Sequence, residues 1–226
     1  MDSEYRHIGR SGAAGVLEEA QASQVLRNTY MLLGMSLAFA AAAGWFAAVT
    51  EVGFVNPWIT LGVYFVLLFA NAKLQNSAWG LLTVFGITGW LGFTTGPIVS
   101  AYAGVPGGME IVSTALTATA GVFIIMSAIA LVSRKDFSFL GNFLMVGVLV
   151  AFLSGIAALF FQISALALVA SGMFVFLSSM LILWQTSRIV HGGETNYIAA
   201  TVLLFVSLYN LFMSLLHLLT VLAGDD

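Results

Sequence analysis

From residue 27 onward the chain alternates long apolar runs with short polar breaks, and none of the runs carries a polar face of its own until the last. The pattern predicts membrane spans at 27–50, 57–75, 78–102, 109–133, 139–161, 164–184 and 195–222, each near the ~20 residues that a helix needs to cross hydrocarbon. The breaks have turn chemistry: Glu51-Val52-Gly53 with Asn56-Pro57, Gly104-Val105-Pro106-Gly107-Gly108, Arg134-Lys135-Asp136, and His191-Gly192-Gly193-Glu194. The weakest break lies near Gln162, where two runs almost merge and a six-span reading competes. Lipid offers no partner for backbone N–H and C=O groups, so these spans must be helices. Barrel strands would alternate apolar and polar residues, and these runs do not. The expected fold class is therefore an all-α integral membrane protein, a bundle of seven transmembrane helices.

Residues 1–26 differ from the rest: they are polar and small, carry Arg6, Arg10, Glu18 and Glu19, and lack an apolar core. They read as a flexible tail ahead of a transmembrane domain spanning 27–226, and the early apolar region of a cleavable signal peptide is missing.

Composition fixes the solvent. Of 226 residues, 60% are hydrophobic and only 8% charged, with a mean hydropathy of +1.02. A water-soluble domain carries about 25% charged residues to cover its surface, so the surroundings here are a lipid bilayer. The chain contains no cysteine, which removes disulfides, thiolate nucleophiles and zinc–thiolate sites together. The net charge of -3 matters less than where the basic residues fall. Arg6, Arg10 and Arg27 precede the first span, Lys73 ends the second, Arg134 and Lys135 follow the fourth, and Arg188 follows the sixth. The opposite loops carry Glu51 and Glu110, and the chain ends in Asp225 and Asp226. Cytoplasmic flanks retain Lys and Arg, so the N-terminus is expected in the cytoplasm and the C-terminus in the periplasm.

Small residues mark packing faces. Gly92, Gly96, Ser100 and Gly104 recur every four residues in the third span, and Gly34, Ala38 and Ala42 form a weaker set in the first. Such faces let backbones approach closely, here expected within the bundle. Pro97 after Gly96 is expected to kink the third helix. Trp45, Trp58 and Trp184 lie near span ends, as in an interfacial aromatic belt.

The last span has one polar stripe, because Ser207, Asn210, Ser214 and His217 follow intervals of three, four and three and share a helical face. An unpaired amide facing lipid would cost several kcal/mol, so this face must point inward. Gln185 closes the sixth span and can meet the cytoplasmic half of the seventh. Two readings fit the stripe: interhelical hydrogen-bonding contacts, or the lining of a hydrated path with His217 near the outer surface. Every Asp and Glu falls in a tail, a loop or a span end, which leaves no carboxylate pair for a divalent cation pore. His191 and Glu194 in a Gly-rich turn are too few ligands for a metal. Glu194 or Thr195 is expected to cap the last helix, with Asn196 and Tyr197 at the interface, and Asp136 to cap the fifth. Phosphate loops, dinucleotide fingerprints, nucleophile elbows and zinc-protease helices are missing, so neither an enzyme nor a cofactor nor a nucleic-acid partner is expected.

Several stretches together have a wider likeness: Val25-Leu26-Arg27-Asn28-Thr29-Tyr30, Gly96-Pro97, Arg134 to Gly141 (RKDFSFLG) and His191 to Ile198 (HGGETNYI). From about residue 25 to the C-terminus the chain resembles the Bax inhibitor family, most closely its bacterial YccA-like branch. The resemblance implies seven helices with a central hairpin-like helix enclosed by the others, in a bacterial inner membrane. It also implies one of two activities. Channel-type members are pH-sensitive calcium leaks in which two aspartates, on the sixth and seventh helices, share a proton. The YccA-like branch instead binds and modulates the membrane-anchored ATP-dependent protease FtsH. Aligned on Leu204 to Phe212, the seventh-helix aspartate falls on Ser207 and a family asparagine on Asn210, while the sixth-helix aspartate falls on Gln185. With neither carboxylate present, the resemblance favours the protease modulator.

Overall fold

A computed structural model describes residues 2–133 and 135–224, with side chains from residue 19 onward. Arg134, Asp225 and Asp226, and the side chains of Arg6, Arg10 and Glu18, lie outside the described residues. The elements are α1 (Asp2–Val49), α2 (Pro57–Leu74), α3 (Trp79–Ala103), α4 (Gly108–Ser133), a single 3-10 turn (Ser138–Leu140), α5 (Gly141–Phe161), α6 (Ser164–Val190) and α7 (Tyr197–Gly224). Seven of these helices are long and apolar enough to cross a membrane.

Two boundaries differ from expectation, and the faintest one is found where expected. The backbone is helical from Asp2, where an irregular tail was expected, although the membrane-crossing part of α1 begins only at Glu19. The Ala, Leu, Glu and Gln residues of positions 13–26 are strong helix formers, and polarity alone does not stop a helix. α6 runs on to Val190, so Gln185 stands inside that helix and does not close it. The doubtful break at Gln162 is real: this residue adopts φ 55°, ψ 39°, a left-handed conformation that ends α5, and α6 restarts at Ser164.

The centre of the bundle is α7, which packs against α1, α3, α4 and α6. It is one continuous helix rather than a hairpin. Leu204, Phe205, Leu208 and Leu211 of α7 join Leu32 and Leu33 of α1, Val84, Ile87 and Leu91 of α3, and Ile182 of α6 in the main core. The tightest seam joins α1 and α3. A β-carbon on Gly92 would run into the Ala40 carbonyl, and one on Gly96 into the Gly44 carbonyl. The partner face on α1 is thus Ala40 and Gly44, not Gly34, which has open space around it. Ser100 and Gly104 are exposed, so only the inner half of the four-residue repeat is used. Pro97 lies within α3, where it removes one backbone donor.

The two flanking helices are held from one side. α2 packs on α3, fixed by a buried hydrogen bond from Asn71 Nδ2 to Thr83 Oγ1 (2.8 Å) and by Trp90 Nε1 donating to the Thr60 carbonyl (3.1 Å). α5 packs on α6. Between α2 and α5 an edge-to-face pair, Phe65 and Phe152 at 5.7 Å, spans a gap.

Candidate functional site

That gap is a groove with α2 and α5 as walls and α6 and α7 as floor. It encloses about 890 Å³ and continues into a second cavity of about 700 Å³ toward the α1–α2 loop, sharing Tyr64, Met145, Phe174 and Asn210 with it. Its walls are mainly aliphatic and aromatic, and its floor carries part of the polar stripe of α7.

The stripe divides into different environments. Ser207 is fully buried and donates to the Leu203 carbonyl one turn back (2.8 Å), so its hydroxyl is satisfied within the helix. Asn210 is half-buried on the groove floor, and its amide has no hydrogen-bond partner among the described residues. Ser214 is buried beyond the groove. His217 is half-buried and tied to α6 through Nδ1 and Ser171 Oγ at 2.8 Å. The four residues are buried or half-buried and are spread over three settings.

Gln185 is apart from them. It is 1% exposed, and neither its Oε1 nor its Nε2 has a partner. One residue on, Thr186 Oγ1 lies 3.2 Å from the Tyr30 hydroxyl, which also donates to Ser127 Oγ at 2.9 Å. Thr201 Oγ1 of α7 donates to its own helix at Tyr197 O (2.7 Å) and lies 3.3 Å from the Thr29 carbonyl. A polar core thus links α1, α4, α6 and α7. Sequence spacing missed it, because its members are scattered over four different helices.

The motif turns gather at one end of the bundle. Gly192 takes φ +71°, which ends α6 and lets the Gly193 and Glu194 N–H groups reach the Arg188 carbonyl (2.8 and 3.2 Å). Asn196, rather than Glu194 or Thr195, caps α7: its Oδ1 accepts from the N–H of Ile198 (2.9 Å) and Ala199 (3.1 Å). Glu194 supports the cap by accepting from Asn196 N–H at 3.0 Å. The Asn196 Nδ2 group also donates to Gln75 O and Asn76 Oδ1 in the α2–α3 turn. Asp136 does not cap α5, whose N-cap position is Leu140; its Oδ1 accepts from Ser138 N–H at 2.8 Å, a local turn just ahead of the 3-10 helix. Its carboxyl lies below the usual carboxylate range, held there by the Ser138 hydroxyl and N–H, with the nearby His191 adding to the effect. Ser187 joins this turn to α6, accepting from Phe137 N–H at 3.0 Å.

Arg188 sits where the groove meets this end. Its guanidinium lies 4.7 Å from the Trp184 ring centre and donates to Gly193 O at 2.8 Å, while Glu194 is 3.7 Å away. Trp184 is half-buried beneath Arg188 and against Gly141, whereas Trp45 and Trp58 are exposed. No group of three or more His, Cys, Asp or Glu side chains that could hold a metal ion occurs among the described residues.

Residues 22–224 match the family described as inhibitor of apoptosis-promoting Bax1. The chain belongs to the Bax inhibitor family. Among relatives, an uncharacterized protein of Pseudomonas aeruginosa is 45% identical over 213 residues, covering 94% of this chain and 96% of the relative. The Escherichia coli K12 protein named modulator of FtsH protease YccA is 44% identical over 202 residues, covering 89% of this chain and 92% of the relative. An equally similar protein of Escherichia coli O6:H1, with the same coverage, is named inner membrane protein YccA. This Bax inhibitor homologue is accordingly of the YccA-like branch and is a multi-pass inner-membrane protein. At the positions to which the resemblance carries the two aspartates, it places an unpartnered buried amide, Gln185, and a self-satisfied hydroxyl, Ser207.

Proposed function

We propose that this chain is a non-enzymatic modulator of a membrane-anchored ATP-dependent protease of the FtsH type, which it binds within the bacterial inner membrane. The observation that carries the reading is the 44% identity, over most of both chains, to the relative named for that activity. Orientation follows from charge. Lys73, Lys135 and Arg188 flank the turns gathered at one end of the bundle, and retention of basic residues puts that end in the cytoplasm, with the C-terminus in the periplasm. The polar segment 1–26 then projects into the compartment where such a protease engages its substrates. At a helical rise of about 1.5 Å per residue, this N-terminal extension of α1 reaches tens of ångströms. The close α1–α3 seam and the central α7 resist extraction, so the protein occupies the protease slowly and spares other substrates. Deleting residues 2–20 is expected to abolish this competition in membranes while the bundle stays folded. Undiminished sparing of a second membrane substrate by the truncated protein overturns the proposed role of the segment.

One observation favours a second reading, a pH-sensitive calcium or proton leak: Gln185 and Asn210 each hold an unpartnered amide inside the bundle, as groups lining a hydrated path do. Under that reading liposomes containing the purified protein pass calcium or protons, and Gln185→Asp or Ser207→Asp alters the flux. Tight liposomes across the range from about pH 5 to 8, where a histidine titrates, remove it.

A further inference from the structure

The groove between α2 and α5 opens sideways, between two helices that pack elsewhere, so its mouth faces the bilayer. Its chemistry is graded along its length. Met145, Val148, Phe174 and Val206 line its shaft, and the shaft extends to the outer cavity below the Phe65–Phe152 pair. At the other end stands Arg188, the one charged residue in the lining of either cavity among the described residues. Its nearest carboxylate, Glu194, pairs with it at 3.7 Å from the turn behind it and is not part of the groove lining.

Arg188 has donors to spare. A guanidinium carries five N–H groups, and the bond to Gly193 O uses one. Glu194 approaches only to 3.7 Å, beyond hydrogen-bonding distance. The Trp184 ring covers one face of the group and leaves its edge available. Asn142, on the α5 wall at the same end, has an amide without a partner among the described residues.

An apolar shaft open to lipid and headed by one cation is complementary to a single amphiphile with an anionic head. We propose that the groove is a binding site for one anionic phospholipid, with its phosphate at Arg188 and Asn142 and an acyl chain along the shaft between α2 and α5. Basic pockets between transmembrane helices recognise lipid head groups in this way, and arginine suits phosphate because its donors fork onto two oxygens. Ser207 lies on the floor with its hydroxyl already satisfied, so it makes no demand on an acyl chain. This inference is independent of protease modulation and stands or falls by lipid retention alone.

The test uses the full chain in detergent, offered equal phosphatidylglycerol and phosphatidylethanolamine, with retained lipid read by native mass spectrometry. One phosphatidylglycerol per chain is expected in preference to phosphatidylethanolamine. Arg188→Gln weakens that preference by about tenfold, the scale of one charge-assisted contact, and Arg188→Lys restores part of it. Ser178→Phe fills the shaft without touching Arg188 and is expected to lose the lipid as well. Ser113→Ala, on α4 outside the lining of either cavity, is expected to leave retention unchanged; a loss there with retention kept in Arg188→Gln overturns the proposal. So does equal retention of the two lipids by the unaltered protein, or retention unaffected by Ser178→Phe, which would place the lipid outside the groove. Glycerol phosphate in excess is expected not to displace the bound lipid, and displacement would show a head-group site without the shaft.

Discussion

Gly96 of α3 lies directly against the Gly44 carbonyl of α1, with no room for a single added carbon. In lipid, where apolar surface gives no advantage to packing one helix on another, such close backbone approach is the main source of association. Gly96→Ala is therefore expected to destabilise the bundle by about 1–3 kcal/mol, the usual cost of overpacking. Gly34→Ala, on the same helix as Gly44 but in open space, is expected to be neutral or to stabilise slightly by its helix propensity. Thermal unfolding of the two variants in detergent measures the difference, and equal effects would remove the seam from the account of stability.

Gln162 ends α5 in the left-handed region at φ 55°. That conformation costs a residue with a β-carbon about 1–2 kcal/mol, which glycine avoids. Gln162→Gly is expected to raise the unfolding midpoint, and Gln162→Ala to leave it lower than Gln162→Gly. A reversed order would mean that the Gln162 side chain contributes more than its backbone strain costs.

The same residue shows why some of this fold is legible in the sequence and some is not. Span number follows from run length, because bilayer thickness sets a minimum that the sequence must meet. The break at Gln162 is faint because a left-handed glutamine leaves no glycine or proline behind. The face shared by Ser207, Asn210, Ser214 and His217 is readable since the period of a helix is local. The groove is not readable, because it depends on α2 and α5 packing on different neighbours and failing to close on one another. The contacts of Trp184 are likewise not readable from its nearness to a span end, because Arg188, one turn away, supplies them.

Asn196 accepts from two free N–H groups at the start of α7 and also donates to the α2–α3 turn. Removing the cap by Asn196→Ala is expected to cost about 0.5–2 kcal/mol. Asn196→Asp keeps the accepting oxygens and loses the donor, so it should recover the larger part of that loss. Hydrogen exchange at Ile198 and Ala199 reports the cap directly, and unchanged protection in the alanine variant would count against it.

Asp136 has a carboxyl held below the usual range by the Ser138 hydroxyl and N–H groups. A depressed carboxylate adds stability above its unfolded value and loses it as pH falls through the folded one. Titration downward from neutral pH should therefore loosen the 135–141 turn, and Asp136→Asn should flatten that part of the profile. The group is fully exposed, so the effect is local and is best read from proteolysis or exchange of the turn.

Gln185 presents the sharpest choice, since both ends of its amide are buried and unpartnered. A buried polar group without a bond costs about 1–3 kcal/mol, and an apolar side chain of the same shape does not carry that cost. If the amide only packs, Gln185→Met is expected to raise the unfolding temperature of the purified protein. A water or ion bridging Gln185 inside the bundle reverses the sign, because methionine would leave that guest without its partner. A fall in unfolding temperature would thus weaken the packing account and favour the hydrated one, even before any flux is measured.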